Sequence, residues 1–368
     1  MKVKAAVVRR TGGEFDLAEL DLDEPRDDEI LVRVKGVGLC HTDLIARDGM
    51  MPFAPPAVLG HEGSGIVERV GAGVRKVKPG DAVGITFRSC GVCARCKRGE
   101  PAYCHTMPQL NYAGARPDGS KALHENGADI VSNFFGQSSF ATFALAYERN
   151  VVKLPDDVPV ELMGPLGCGV QTGAGGIMRS LACEKGSTLL VLGGGAVGLS
   201  AVMGAIVQEC GTIIVVEPLA ARRKIATELG ATHTIDPKAS PDLPAAVREI
   251  VPIGVDYAFD TTGIPAILQA AMGCLGPHGT LGIVGVPPPG TPVPGDLLTA
   301  ITFGHTVKGI IEGDSEPDEF IPEMIALYKA GRFPFDRLIR TYPLSQINKA
   351  IADQHRGDCV KVVLLPEE

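Results

Sequence analysis

The sequence predicts an α/β protein of two domains, a β-rich domain followed by a parallel sheet with helices on both faces. The first observation is the length of 368 residues, which exceeds what one ordinary hydrophobic core encloses. The second is a change near residue 170 from short β-like runs to alternating strand and helix patterns. The third is a glycine-rich turn after the first strand of the second part.

Composition and charge restrict the function. The formal net charge of -8 at pH 7 argues against a nucleic acid or an anionic membrane surface as the partner. The amino-terminal stretch MKVKAAVVRR alternates polar and apolar residues like an edge strand, and it lacks the apolar core and cleavage site of a signal peptide. We therefore expect a cytoplasmic protein with a small-molecule ligand, in which clustered cysteines bind metal or take part in catalysis.

The first part of the chain, to about residue 155, is divided by Gly, Pro and Asp into β-like runs. These runs are KAAVVR, EILVRVKGVG, GSGIVERVGAG, DAVGITF, FATFALA and NVVKLP. The second part alternates strands such as TLLVLGG and TIIVVE with helical segments such as AVGLSAVMGAIVQEC and AARRKIATELG. After the linker VPPPGTPVPG, the segments EFIPEMIALYKAG and CVKVVLL predict one more helix and a final strand.

The stretch from Gly186 to Val207 has no charged residue and is long enough to suggest a membrane span. Glycines such as Gly193 and Gly198 would each cost a helix about 1 kcal/mol relative to alanine. We therefore predict a buried strand, a tight turn and a buried helix in this stretch.

Gly193, Gly195 and Gly198 form the pattern G-x-G-x-x-G between the strand LLVL and the start of a helix. The next strand ends in Glu217, so the acidic residue of a dinucleotide-binding βαβ unit is present as well. In such units the first glycine permits the turn, the second admits the pyrophosphate, and the third lets the helix pack closely on the strand. The pattern predicts a dinucleotide site, and a glycine-rich turn without a ligand is the alternative.

Glu217 also bears on which dinucleotide binds. Its carboxylate would accept hydrogen bonds from ribose hydroxyls and repel a 2′-phosphate, which favours NAD over NADP. Arg222 and Arg223 are an argument in favour of NADP, because a nearby arginine can accommodate the 2′-phosphate. NAD is the expected cofactor.

Four cysteines in CGVCARCKRGEPAYC follow the spacing C-x-x-C-x-x-C-x7-C: Cys90, Cys93, Cys96 and Cys104. Four thiolates suit a closed tetrahedral zinc site with no open position for a substrate. An iron–sulfur cluster is the main alternative, although the fourth cysteine is too distant from the third for the ferredoxin spacing, and a redox-active C-x-x-C pair would leave two thiols unexplained. Four further cysteines show no partner pattern and are predicted to be buried apolar residues: Cys183, Cys210, Cys274 and Cys359.

Three further residues are candidates for a catalytic metal: Cys40 in GVGLCHTDL, His61 in VLGHEGSG and Cys168 in GPLGCGVQTG. Three N and S ligands leave a fourth position for water or substrate, as in catalytic zinc sites. Taken singly, the cysteines also suit small buried positions and the histidine a loop position. Their spacing in the sequence does not show that they meet.

The stretch GHEGSGIVERVGAGV, residues 60–74, resembles the signature of the zinc-containing alcohol dehydrogenases of the medium-chain dehydrogenase/reductase family. The segments LCHTDL, GCGVQTG and NFFGQSSFA look most like those of the aryl (benzyl) alcohol dehydrogenases. The resemblance covers essentially the whole chain. It implies a GroES-like catalytic domain at 1–169 completed by 310–368, a Rossmann cofactor domain at 170–309, and a homodimer or homotetramer.

The resemblance also assigns roles to the metal candidates. It implies a catalytic zinc ion on Cys40, His61 and Cys168, with Glu62 as a nearby carboxylate that ligates transiently. Asp43 matches the residue that would orient His61 from behind. With a structural zinc ion on the four-cysteine cluster, the chain would hold two zinc ions.

The implied reaction is the reversible oxidation of a primary alcohol to an aldehyde by hydride transfer to NAD, with zinc as the Lewis acid. Thr42 matches the hydroxyl that accepts a hydrogen bond from the substrate, and helix N-capping is an additional role for it. Ile45 stands where many members have the histidine that ends the proton relay. His41 is our candidate for the missing base, and simple contact with the cofactor pyrophosphate is the alternative.

The remaining expectations concern the cofactor and the substrate. The expected cofactor contacts beyond the glycines are His41, Thr172, Val197, Glu217, Arg222 and Lys361. The resemblance places Thr86, Phe134 and Phe135 near an apolar substrate channel, and the two phenylalanines would suit an aromatic or allylic alcohol, although they also suit a loop core. The competing functions are a glutathione- or mycothiol-dependent formaldehyde dehydrogenase and a non-catalytic zinc- and NAD-binding protein.

Overall fold

A computed structural model of the chain describes residues 1–367. Within these residues, helices combine with three sheets, one of them entirely parallel, which confirms the predicted α/β class. The chain forms two compact units. Unit 1 comprises Met1–Cys168, Glu316–Met324 and the chain from Asp336 onward, and unit 2 comprises Gly169–Ser315 and Ile325–Phe335. The predicted domain boundaries remain a proposal beside this division.

The strands and helices follow one another along the described chain with few long gaps. The strands are β1 (Lys2–Val8), β2 (Phe15–Leu22), β3 (Glu29–Leu39), β4 (Ala57–Val58), β5 (Gly63–Val70), β6 (Ala82–Ile85), β7 (Leu123–Glu125), β8 (Ala128–Ile130), β9 (Phe143–Tyr147), β10 (Val151–Lys153), β11 (Thr188–Leu192), β12 (Thr212–Val216), β13 (His233–Ile235), β14 (Val255–Asp260), β15 (Leu275–Ile283), β16 (Thr306–Gly309), β17 (Ile339–Pro343) and β18 (Lys361–Leu365). The α-helices are α1 (His41–Arg47), α2 (Met107–Tyr112), α3 (Gly169–Gly175), α4 (Ala196–Val207), α5 (Ala220–Glu228), α6 (Leu243–Ile250), α7 (Pro265–Cys274), α8 (Leu297–Phe303), α9 (Pro317–Lys329) and α10 (Ile347–Arg356).

Unit 1 contains two mainly antiparallel sheets. One has the strand order β4-β1-β2-β7-β8, and the other has the order β10-β6-β5-β3-β18-β17 with β9 paired to β3. Because β1 lies between β2 and β4, the expectation of an edge strand at the amino terminus is wrong. The final strand β18 runs antiparallel to β3 with Val362 opposite Leu39, so the end of the chain lies beside the residue before Cys40.

A buried ion pair lies at the start of β3. Arg116 donates from Nε to Glu29 Oε1 at 2.7 Å and from Nη2 to Oε2 at 2.9 Å, and the Tyr147 hydroxyl donates to Oε1 at 3.0 Å. Both charged side chains are 1% exposed. Burial is the largest single influence and raises the pKa of Glu29, but the hydrogen bonds and charge of Arg116, with hydrogen bonds from the Arg26 amide and Tyr147, together lower that pKa below its ordinary value.

Replacing Glu29 with glutamine is expected to destabilise unit 1 by about 3 kcal/mol, because the buried Arg116 loses its buried anionic partner and keeps only the partly exposed Asp23. The folded-state pKa of Glu29 lies below that of the unfolded chain. The pair therefore stabilises the fold above the pH at which an unfolded glutamate titrates, and this contribution disappears as the pH falls through the folded-state pKa. Urea midpoints of wild type and variant should differ at neutral pH and converge in acid.

Glu24 offers a matched control, since its ion pair with Arg69 is exposed to solvent. Replacing Glu24 with glutamine should leave the urea midpoint nearly unchanged. A Glu29→Gln midpoint equal to that of the Glu24→Gln variant would contradict the assigned role of the buried pair.

Unit 2 is built on a six-stranded sheet in the order β13-β12-β11-β14-β15-β16. Every pairing in it is parallel. The central strands are continuous apolar runs because helices cover both faces, and their core includes Leu190, Ile214 and Leu281. In chain order this arrangement is 3-2-1-4-5-6, the order of the dinucleotide-binding Rossmann fold.

The uncharged stretch in unit 2 forms β11, a turn and α4, as predicted. Helix α4 is largely buried, which accounts for its apolar sequence. None of the helices within residues 1–367 combines the length and apolar character needed to cross a bilayer.

Candidate active site

Four residues that the sequence singles out meet in unit 1. The metal-ligating atoms of Cys40, His61, Glu62 and Cys168 all lie within 4.8 Å of one another. His61 and Glu62 are fully buried, Cys168 is buried and Cys40 is partly exposed. Two thiols, an imidazole and a carboxylate are therefore concentrated in one small volume.

Sheet pairing and missing side chains bring this cluster together. Cys40 directly follows β3 and is the N-cap of α1, and His61 and Glu62 directly precede β5, which pairs with β3. A Cβ atom on Gly38 would lie 1.8 Å from Glu62 Oε2, and one on Gly164 would lie 2.1 Å from the Glu62 carbonyl oxygen. Glycine at 164 therefore lets the segment before Cys168 approach the Glu62 backbone, and a side chain at position 38 would displace the Glu62 carboxylate.

Asp43 holds two members of the cluster in place. Its Oδ1 accepts from the Gly60 amide at 3.0 Å and lies 2.9 Å from His61 Nδ1, while its Oδ2 accepts from the Cys40 amide at 3.0 Å. The second ring nitrogen of His61, Nε2, is buried and has no hydrogen-bond partner among the described residues. An imidazole fixed at Nδ1 by a carboxylate, with Nε2 unengaged, is the arrangement of a metal-binding histidine.

The electrostatics of the cluster favour a bound cation. The hydrogen bond with Cys168, assisted by His61, holds the pKa of Cys40 well below its ordinary range. Burial alone would lower the pKa of His61, but the Asp43 carboxylate reverses this effect and raises it well above its ordinary value. A thiolate and an imidazole whose surroundings favour positive charge suit zinc, which binds Cys and His together.

Lys361 completes the charge balance at Glu62. Its Nζ lies 2.5 Å from Glu62 Oε2 and donates to the Leu39 carbonyl at 3.1 Å. Both side chains are buried, and burial raises the pKa of Glu62 even though the lysine opposes the shift. This ion pair was not foreseen from the sequence, and the cofactor contact expected for Lys361 stays a prediction.

Two phenylalanines cover the imidazole of the cluster. The Phe135 ring stacks on His61 with centroids 4.5 Å apart, and the Phe134 ring meets it edge-on at 5.6 Å. Phe135 has a φ of 52°, which is rare for a bulky residue. Gln137 from the same loop donates to the His61 carbonyl at 2.8 Å. The segment NFFGQ thus packs as a wall against His61, and its predicted role beside the substrate stays a prediction.

The helix after Cys40 carries the residues expected to handle the proton. Thr42 is the second residue of α1, so Cys40 and not Thr42 occupies the N-cap, and the capping role for Thr42 is wrong. The Cys40 Sγ lies 3.8 Å from Thr42 Oγ1. His41 is exposed and Ile45 partly buried within the described residues. Thr86, also expected near the substrate, is buried and donates to the Gly167 carbonyl at 2.6 Å.

Replacing Asp43 with asparagine is expected to weaken zinc binding at this cluster about 10- to 100-fold, because the amide no longer offers His61 a carboxylate. Retention of zinc against increasing chelator measures the effect. The control is Asp48→Asn at the exposed end of α1, where Asp48 pairs only locally with Arg47. Equal zinc retention in both variants would contradict the role given to Asp43.

The four predicted cysteines form a second cluster in unit 1. The sulfur atoms of Cys90, Cys93, Cys96 and Cys104 lie within 4.8 Å of one another. Backbone amides support the sulfurs, since Cys93 N donates to Cys90 Sγ at 3.4 Å and Cys90 N donates to Cys104 Sγ at 3.3 Å. Hydrogen bonds from the backbone, chiefly at Cys96, lower the pKa of Cys93 to about 5. Four sulfurs on one loop suit a closed zinc site.

The glycine turn of unit 2 has the geometry of a dinucleotide site. Gly193 directly follows β11 and has a φ of 101°, a left-handed conformation that favours glycine. A Cβ on Gly198 would lie 1.8 Å from the Gly193 carbonyl oxygen, so the third glycine lets α4 approach the turn. A Cβ on Gly195 would meet nothing within 4 Å, which leaves space at the amino end of α4 for a phosphate. Val197 lies in the first turn of α4, and Thr172 lies in α3.

Glu217 is buried beside the turn, at the end of β12. Its Oε2 accepts from the Gly194 amide at 2.8 Å and its Oε1 accepts from the Leu219 amide at 2.8 Å. Arg223 donates to the Glu217 carbonyl at 2.7 Å and pairs with Asp236 at 3.1 Å. Arg223 is therefore already engaged by protein groups, which weakens the case that it accommodates a 2′-phosphate.

Comparison with known proteins agrees with this description. Residues 26–156 match the Alcohol dehydrogenase GroES-like domain, and residues 196–330 match the Zinc-binding dehydrogenase family. Geraniol dehydrogenase of Castellaniella defragrans is 48% identical over 366 residues, which is 99% of this chain and 98% of that protein.

Two solved structures extend the comparison to the fold. An alcohol dehydrogenase zinc-binding domain protein from Burkholderia ambifaria superposes with a TM-score of 0.97 at 48% identity. Benzyl alcohol dehydrogenase from Acinetobacter calcoaceticus superposes with a TM-score of 0.96 at 42% identity. Both similarities cover 100% of this chain and of the other.

A β-rich unit that gathers thiols and an imidazole, combined with a Rossmann unit, defines a zinc-binding oxidoreductase that acts on alcohols. The chain belongs to the zinc-containing alcohol dehydrogenases of the medium-chain dehydrogenase/reductase family, as the resemblance at residues 60–74 predicts.

Proposed function

We propose that the protein reversibly oxidises primary aromatic or allylic alcohols to aldehydes, with NAD as the hydride acceptor. The observation that carries the proposal is the buried cluster of Cys40, His61 and Cys168, with Asp43 fixing His61 from behind. One alcohol and one NAD yield one aldehyde, one NADH and one proton.

The residues of this cluster have different proposed roles. Cys40, His61 and Cys168 would hold the zinc ion, and Glu62, balanced by Lys361, is the carboxylate within reach of the same position. When bound there, zinc supplies Lewis acidity that stabilises negative charge on an alcohol oxygen. Asp43 keeps the imidazole oriented throughout, and the protein thereby preorganises the site for developing charge.

Proton transfer is assigned to the start of α1. The Thr42 hydroxyl, on the helix turn that follows Cys40, would accept the hydrogen bond from the alcohol. Because Ile45 cannot carry a proton, the exposed His41 is the proposed base that passes it to solvent. Both roles are inferred from the position of these two side chains beside the cluster.

Support for the substrate class comes from two relatives and from the wall beside His61. Geraniol and benzyl alcohol, which name these relatives, are primary alcohols with an unsaturated carbon next to the carbinol carbon. Phe134 and Phe135 make the surroundings of His61 aromatic. Both facts favour an unsaturated, apolar substrate over ethanol.

Support for NAD comes from unit 2. The carboxylate of Glu217 stands at the end of β12, where it would bind ribose hydroxyls and repel a 2′-phosphate. We further propose a structural zinc ion on the four-cysteine cluster, which gives two zinc ions per chain, and a homodimer or homotetramer as the assembly.

The test is NADH formation by zinc-quantified enzyme with benzyl alcohol, cinnamyl alcohol, geraniol, ethanol and formaldehyde, each with and without glutathione or mycothiol. We expect thiol-independent turnover of the three unsaturated alcohols, a lower kcat/KM for ethanol, and weaker activity with NADP. Activity restricted to formaldehyde plus thiol would overturn the substrate class, and silence with every substrate would overturn the assignment as a catalyst.

A further inference from the structure

Unit 2 contains a pair of thiols that the proposed function does not use. Cys183 precedes β11 and Cys210 precedes β12, and the two strands begin at the same edge of the parallel sheet. Cys183 is 2% exposed, whereas Cys210 is partly exposed, and each thiol shifts the pKa of the other. The prediction of a buried residue is therefore correct for Cys183, whereas Cys210 is only partly buried.

The two segments that carry the thiols are joined at several further points. The contacts are Gln208 Nε2 donating to the Cys183 carbonyl at 3.1 Å, Gly186 N donating to the Glu209 carbonyl at 2.8 Å, Gly211 N donating to the Ser187 carbonyl at 2.8 Å, and an ion pair between Lys185 and Glu209 at 2.5 Å. These contacts hold the segment before β11 against the segment before β12, so a bond between the two sulfurs would join segments that already pack together.

Cys210 has the properties of a nucleophilic cysteine, and Cys183 has those of the resolving cysteine that would attack its oxidised form. Interaction with the Cys183 thiol lowers the pKa of Cys210 to about 7, and the Ser187 hydroxyl lies 3.7 Å from the Cys210 sulfur. The same interaction, together with burial, raises the pKa of Cys183. Cys210 is thus the partly exposed thiolate near neutral pH, and Cys183 is the sheltered thiol beside it.

We propose that Cys210 and Cys183 form a reversible oxidation site that reacts with hydroperoxides. The Cys210 sulfur takes one peroxide oxygen as the O–O bond breaks, and the other oxygen leaves as water or an alcohol. The Cys183 sulfur then attacks the resulting sulfenic acid, the S–S bond forms, and water leaves with the proton of Cys183. Two thiols are oxidised for each hydroperoxide reduced, and an external dithiol restores them.

The position of the pair indicates what the reaction protects. It lies at the amino ends of β11 and β12, whereas the glycine turn follows the carboxyl end of β11. The disulfide therefore forms away from the dinucleotide turn. Formation of the disulfide converts oxidised Cys210 to a reversible state before the irreversible sulfinic acid can form. The pair would thereby protect the unit that binds the cofactor.

The chain offers a clean readout. Trypsin cleaves after Arg179, Lys185 and Arg222, so Cys183 falls in peptide 180–185 and Cys210 in peptide 186–222, with no other cysteine in either peptide. Zinc-loaded enzyme is treated with hydrogen peroxide, alkylated, digested and analysed by mass spectrometry. We expect peptides 180–185 and 186–222 joined by a disulfide, and we expect dithiothreitol to separate them.

A variant and a control make the test decisive. In Cys183→Ser, Cys210 should accumulate as sulfinic acid that dithiothreitol does not reverse, whereas Cys274→Ser should form the linked peptides as wild type does. Wild-type Cys210 that becomes sulfinic acid without linkage would overturn the proposal. Peptides that stay fully alkylated at peroxide doses that oxidise a free thiol would overturn it as well.

Discussion

Replacing His61 with alanine is expected to remove one zinc ion per chain and to lower turnover at least about a thousandfold. A metal Lewis acid contributes several kcal/mol to transition-state stabilisation, and about 4 kcal/mol corresponds to about a thousandfold in rate. The buried Nε2 of His61 has no other described partner to satisfy it. Zinc content by elemental analysis, together with NADH formation, measures both effects.

The matched control for this variant is His124→Ala. His124 lies in the same unit, but its ring contacts Asp23 and Asp129 at the surface. This variant should keep its zinc and its turnover. A His61→Ala enzyme that keeps full zinc content and turnover comparable to that of His124→Ala would contradict the assignment of His61 as a ligand.

Replacing Gly198 with alanine should disrupt unit 2 and abolish NAD binding. The added Cβ would lie 1.8 Å from the Gly193 carbonyl oxygen, so either the turn or the start of α4 has to move. Backbone cannot rotate away as a flexible side chain can, and we expect a loss of stability of about 2 to 3 kcal/mol. Thermal unfolding and titration with NADH fluorescence report the two effects separately.

Gly195→Ala is the informative companion because its Cβ would have no neighbour within 4 Å. This variant should unfold at the wild-type temperature and yet bind NAD more weakly, since the methyl group occupies the space expected for the pyrophosphate. Wild-type NAD affinity in both variants would contradict the placement of the cofactor at this turn.

The cofactor turn could be predicted because its information is local. The strand, the glycines and Glu217 lie within one βαβ unit, and each has its own physical reason to be where it is. Helix α10 carried a comparable signal, with Ile347, Ala350 and Ile351 on one buried face and Gly357 at its end, although it was not predicted. Helix α8 gave no such signal, because it has no buried residue.

The metal cluster could not be predicted from spacing, because its geometry depends on contacts between distant segments. Cys40 and His61 meet through the pairing of β3 with β5, and Cys168 reaches them past Gly164. Only the family resemblance joined these residues in advance. The contact of Lys361 with Glu62 likewise follows from the register of β18 on β3, which no local pattern encodes.

The most direct test of the account is the location of zinc in crystals of the purified protein, from anomalous scattering on both sides of the zinc absorption edge. We predict two peaks per chain, one among Cys40, His61 and Cys168 and one among the four cysteines Cys90, Cys93, Cys96 and Cys104. A crystal of active enzyme with no zinc peak at Cys40, His61 and Cys168 would contradict the central claim that these residues hold the catalytic metal.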